Sequence, residues 1–169
     1  MRPYHFCLVA AVVAALVGWP ASAGEKTKGD KGQVKLSPEE ERVFELTNET
    51  RKENKLLPYK LNPLLTKLAR EHSENMARQN TLSHTLDDKG PAQRLKEGGY
   101  AGIGWGENIY GGRGKGTRVA EEAQQWWMTS EGHRKNILSK GFREVGVGIV
   151  RSERGLLFFT VVFGNPPQR

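Results

Sequence analysis

The sequence holds one cysteine, Cys7, and everything after it is cysteine-free. That excludes disulfide staples, a thiol nucleophile and a thiolate zinc site from the rest of the chain, so stability has to come from an ordinary apolar core. Long apolar runs are equally scarce. "FCLVAAVVAALVGW", which contains Cys7, is shorter than the ~20 residues a membrane span wants, and no small-residue-plus-Cys lipobox closes it. Arg2 and His5 precede the run and "ASA" follows at 21–23. This is the order of a secretory signal peptide, and cleavage near Ala23 is expected. Removing residues 1–23 leaves 146 of the 169 residues, enough for one domain. The expected localisation is extracellular or periplasmic.

Several chemical signatures are missing as well. There is no G-x-S-x-G elbow, no H-E-x-x-H helix, no zinc-finger spacing and no RNP-type aromatic motif. No specific nucleic-acid partner is expected. Acidic residues are outnumbered: 19 Asp and Glu stand against 26 Lys and Arg, for a net charge of +7. Residues 24–36 are basic and nearly free of apolar side chains, which reads as a flexible leader. Further basic residues cluster at Arg113, Lys115 and Arg118, and again at Arg134, Lys135, Lys140 and Arg143. Such an excess favours contact with anionic surfaces.

What is present is a run of helix signals followed by strand signals. Ser37, Pro38 and Glu40 form an S-x-x-E capping box, with Val43, Phe44, Leu46 and Thr47 behind it at helical spacing. "LLPYKLNP" interrupts, and Asn62 with Pro63 opens a second helix whose stripe runs through Leu64, Leu68, His72 and Met76. His72 on that stripe reads as a hydrogen-bonded histidine at the core edge. "PAQRLKEGGY" is a short helix ended by Gly98 and Gly99. In "TRVAEEAQQWWMTS", Thr117 is placed to cap a helix that buries Val119, Ala120, Ala123 and the tryptophans. Trp126 is expected to be the more buried of the pair. "REVGVGIV" and "GLLFFTVVFG" are strands joined by a turn at "RSERG", and an earlier strand lies around 106–110. Helices first and strands last predict an α+β layered domain with an antiparallel sheet.

Three histidines remain for chemistry: His72, His84 and His133. His84 in "LSHT" and His133 in "SEGHRKNIL" both stand where a helix gives way to connecting chain, and Glu107 sits between glycines in "GENIYGG". Two imidazoles and a carboxylate suit either a divalent metal or a proton-transfer set. By spacing alone a surface turn explains Glu107 better, since most carboxylates are solvated. Ser83 beside His84 reads as a turn serine, not half of a dyad.

The combination "LTNETRKENKLLPYKLNPLLTKLAREHSENMARQNTLSHT", "GENIYGG", "WWMTSEGHRKNIL" and "FREVGVGIV" resembles a bacterial secreted, SCP-like CAP domain. That superfamily is named for cysteine-rich secretory proteins, antigen 5 and pathogenesis-related class 1 proteins. The resemblance spans Ser37 to Gly164 and places the domain at 37–166. It implies a three-layer α-β-α sandwich with a central antiparallel sheet. It also implies a shared cavity lined by His84, Glu107 and His133. Thr129 and Ser130 stand where many eukaryotic members carry a second glutamate. No cofactor is required on this reading. Zinc, if bound, would be weakly held by His84 and His133 with Glu107 as a possible partner. The implied function is a ligand-binding or extracellular interaction module for a lipid, sterol-like or cell-wall-derived ligand. The alternative is a metal-assisted or histidine-dependent secreted hydrolase.

Overall fold

Ser37 starts the first helix as its capping box predicts. The Ser37 hydroxyl accepts the Glu40 N–H at 3.2 Å, and the Glu40 carboxylate accepts the Ser37 N–H at 2.9 Å. The computed structural model describes residues 34–166. The expected signal segment, and the leader up to residue 33, lie outside the described residues. Helix α1 (Pro38–Glu53) leads through strand β1 (Lys60–Leu61) into α2 (Pro63–Gln79) and the short α3 (Pro91–Glu97). Strand β2 (Gly104–Arg113), helices α4 (Arg118–Thr129) and α5 (Glu131–Ile137), and strands β3 (Glu144–Arg151) and β4 (Leu156–Asn165) complete the order.

The sheet runs β1-β3-β4-β2, and β4 at its centre shows why the fold has three layers. Its side chains alternate across the sheet, as strand geometry demands. Leu157, Phe159, Val161 and Phe163 join Val43 of α1, Val119, Ala123 and Trp127 of α4, and Ile137 of α5. Phe158 packs instead with Met76 of α2, and Val162 with Leu65 and Leu68 of α2 and Leu95 of α3. Helices therefore cover both faces.

Helix α2 lies very close to β3. A Cβ on Gly146 would stand 2.1 Å from the Leu65 carbonyl carbon, and one on Gly148 would stand 2.2 Å from the Arg70 nitrogen. The "VGVG" pattern thus lets helix backbone approach strand backbone, while Val145 and Val147 fill the opposite face.

Four expectations need correction. The sheet is not wholly antiparallel: β1, inside the stretch read as a helix-breaking link, pairs parallel with β3. That pairing carries the chain from the α1 face to the α2 face. Thr117 makes no side-chain cap. "SEGHRKNIL" is not connecting chain, because Glu131–Ile137 form α5 and carry His133 on a helix. Trp127 is fully buried, whereas Trp126 is 46% exposed. Ala120 and Gln124 explain the last error. Counting only Val119 and Ala123 favours Trp126, whereas the buried Ala120 turns the arc towards Trp127 and Gln124, buried through hydrogen bonds to Thr47 and Thr50 of α1, turns it further.

Side chains reach both open edges of the sheet and cover part of each. β1 covers only the start of β3, and beyond it the Glu40 carboxylate accepts the Ile149 N–H at 3.3 Å. At the other edge, Asn136 Nδ2 donates to the Glu107 carbonyl at 3.3 Å and Trp127 Nε1 donates to the Ile109 carbonyl at 2.9 Å.

Candidate functional site at the edge of β2

Glu107 faces the α2 side of the sheet and is buried, so its carboxylate needs partners. It has two. Oε1 lies 2.9 Å from His84 Nδ1, and Oε2 accepts from Arg94 Nη2 at 2.6 Å. Arg94 is fixed in turn, its Nη1 donating to the carbonyls of His84 at 2.8 Å and Lys89 at 2.9 Å. One guanidinium thus ties the loop holding His84 to α3 and to β2.

Asn108, the next residue, faces the other side and reaches α5. Its Nδ2 donates to the His133 carbonyl at 3.1 Å, and its Oδ1 accepts from Asn136 Nδ2 at 2.9 Å. Gly106 makes this possible, because a Cβ there would stand 2.6 Å from Asn136 Oδ1. The glycine of "GEN" is therefore room for an amide.

His133 Nδ1 is buried and has no hydrogen-bond partner among the described residues. Burial pushes the His133 pKa below its ordinary 6.5, and the nearby charge of His84 pushes the same way. The Trp126 ring packs on the His133 ring with centroids 4.9 Å apart, and on Tyr110 at 5.9 Å. His84 from one side of the sheet and His133 from the other so approach the same edge strand. His84 is 46% exposed, in contrast to Glu107 behind it.

His72 is the hydrogen-bonded residue its stripe predicts: buried, with Nε2 donating to the Ser83 carbonyl at 2.9 Å. Burial lowers its pKa, and the Glu107 charge opposes this only in part. Ser83 is the expected turn serine, donating to the Thr85 carbonyl at 2.8 Å. Thr129 donates to the Trp126 carbonyl at 2.8 Å, and Ser130 is the joint between α4 and α5. The structure gives neither a bond to His84, Glu107 or His133.

Sequence reasoning missed Arg94, Asn136, Asn108 and the ring of Trp126. A buried glutamate calls for a cation, but nothing in the spacing distinguishes Arg94 from other basic residues. Asn136 was hidden by the reading of α5 as a link.

These donors do not fill a metal's coordination shell. Both Glu107 oxygens are engaged, and among the described residues no three His, Cys, Asp or Glu side chains stand together as a metal site. Two imidazoles are left, which do not make a tightly held zinc centre.

A three-layer sandwich with a histidine–glutamate pair at its edge strand defines a class, the SCP-like domains. The chain matches the model of the CAP family, described as the cysteine-rich secretory protein family, over residues 44–163 and belongs to that family. It is 37% identical over 134 residues to the uncharacterized protein YkwD of Bacillus subtilis, covering 79% of this chain and 51% of YkwD. The chain thus spans about half the length of that relative. Among solved structures, it resembles an SCP-domain extracellular protein from Bacillus anthracis at TM-score 0.64 and 28% identity, over 79% of this chain and 45% of that one. An outer surface protein of Borrelia burgdorferi shares the fold at TM-score 0.71 and 19% identity, over 79% of this chain and 97% of that one. No helix among the described residues is long and apolar enough to cross a membrane.

Proposed function

We propose that this is an exported binding module that takes a cell-wall-derived saccharide at the edge of β2. One observation carries the reading: the exposed His84 imidazole is locked from behind by Glu107 and Arg94, and His133, near enough to feel the charge of His84, carries the exposed Trp126 ring on its own. A sugar offers an apolar ring face and a rim of hydroxyls. An aromatic plane beside oriented imidazoles matches both. The groove beside α2, about 1140 Å³, has His72 and Arg94 in its wall but not His84, Glu107, His133 or Trp126, so it lies apart from the proposed site.

Binding is favoured over hydrolysis because the serine beside His84 is committed to its own turn. The pairing of His84 with Glu107 would orient a base, yet among the described residues no hydroxyl is hydrogen-bonded to either imidazole of the site. Zinc would meet His84 and His133 and complete its shell with water, so its binding is weak and is lost in His84→Ala.

Titration with soluble peptidoglycan fragments, fatty acids and a sterol tests the assignment. Saccharide binding that shifts tryptophan fluorescence and disappears in His84→Ala and Trp126→Ala is expected. Binding of the lipids alone would overturn it. Export is tested by N-terminal sequencing of protein recovered outside the cytoplasm, which should begin at or near Gly24.

A further inference from the structure

Arg113 ends β2, Lys115 lies in the link and Arg118 opens α4, while Arg151 ends β3 and Arg154 lies in the β3–β4 turn. The fold joins the two groups. Arg113 Nη1 donates to the Arg154 carbonyl at 3.1 Å, and Arg151 Nη2 donates to the Gly114 carbonyl at 3.1 Å. Arg151 Nη1 also braces its own turn through the Gly155 carbonyl at 3.2 Å. All five cationic side chains are exposed. Two guanidinium groups are thus held in place by main-chain oxygens, which leave their charge uncancelled.

The acidic residues nearby offset this in part. Glu122 stands 3.5 Å from Arg118, and Glu153 is exposed in the turn. Glu71, Glu74 and Glu97 line the groove that Arg151 and Arg154 also border, alongside Lys67, Arg78 and Arg94. Among the described residues no carboxylate pairs with Arg113, Lys115, Arg151 or Arg154. Like charges gathered on two short loops repel one another and favour an anion that spans them. Guanidinium groups fixed in this way suit phosphate oxygens. Residues 113–118 and 152–155 contain no large apolar side chain, so nothing at these tips would enter a bilayer.

We infer that this end of the sheet docks a phosphodiester polyanion of the cell wall, separately from the ligand site. β2 carries both features. Arg113 lies six residues beyond Glu107, about 20 Å along the strand, so a polymer held at the basic loops would keep the saccharide site close to the wall.

Labelled poly(glycerol phosphate) titrated into the full chain tests this at several salt concentrations. Affinity should fall with salt, with a log–log slope of about −0.7 for each phosphate engaged. The variant Lys115→Gln/Arg118→Gln/Arg154→Gln removes charges whose side chains make none of the bracing bonds. It should keep its melting temperature and bind about ten-fold more weakly, with a shallower salt slope. His84→Ala, which removes the proposed ligand site, should bind the polymer as wild type does. Unchanged affinity in the triple variant, or affinity insensitive to salt, would overturn the inference. So would patch-dependent binding to phosphatidylglycerol vesicles without binding to the polymer.

Discussion

Glu40 and Glu107 are buried carboxylates held by an arginine at opposite edges of one sheet, and they are used differently. Glu40 is saturated by structure. It takes Arg70 through both oxygens at 2.8 and 2.6 Å, the Ser37 N–H that completes its cap, and the Ile149 N–H at the edge of β3. Glu107 spends one oxygen on Arg94 and the other on an imidazole that is itself open to solvent. The first arrangement ends in the protein, while the second ends in a group able to meet a ligand. Burial and pairing alone therefore do not mark a functional carboxylate; what its partner can still reach does.

The tryptophan pair at the β2 edge offers the largest expected contrast. Trp127→Ala empties a buried site and unpairs the Ile109 carbonyl, and should cost about 4 kcal/mol in urea unfolding. Trp126→Ala should cost under about 1 kcal/mol. Equal costs would contradict the division of this edge into a packed and an exposed ring.

Glu40→Ala should come next. It leaves Arg70, the helix cap and the Ile149 amide without their shared partner, at about 3 kcal/mol. Hydrogen exchange at Ile149 should accelerate beyond the global change. If only global exchange rises, Glu40 does not protect that edge.

Acid should weaken the fold through His72. Burial holds its folded pKa below the ordinary 6.5, so the unfolded chain takes the proton first as pH falls. The contribution is complete above 6.5 and is lost progressively as pH drops below it towards the folded value. Urea midpoints measured between pH 7.5 and about 5 should decline, and less so in His72→Gln. Parallel profiles would exclude His72 as the cause.

His84→Ala should cost about 1 kcal/mol, because the half-exposed ring packs little but its removal unpairs one oxygen of the buried Glu107 carboxylate. Its larger effect should appear in ligand binding.

How much of this was legible in the sequence follows the same contrast. The capping box of Glu40 is local, with donor and acceptor three residues apart, and it was read directly from "SPEE". The α2 stripe and the two C-terminal strands were equally local patterns. The pairing of Glu107 with His84 was available only through family resemblance, since 23 residues separate them and no local rule links them. Arg94 and Asn136 were invisible because they serve the site through long-range bonds from a short helix and a misread link. Trp126 is misplaced when the facing is judged from Val119 and Ala123 alone, since Ala120 and the buried polar Gln124 turn the arc towards Trp127.

The most direct test sets the two glutamates side by side. Glu40→Gln and Glu107→Gln are compared for urea stability and for calorimetric binding of soluble peptidoglycan fragments. Glu40→Gln should lower stability and leave the affinity of the remaining folded protein unchanged. Glu107→Gln should stay folded at a cost of about 2 kcal/mol and lose binding. Retained binding in Glu107→Gln, or its loss in folded Glu40→Gln, would contradict the assignment of the β2 edge as the ligand site.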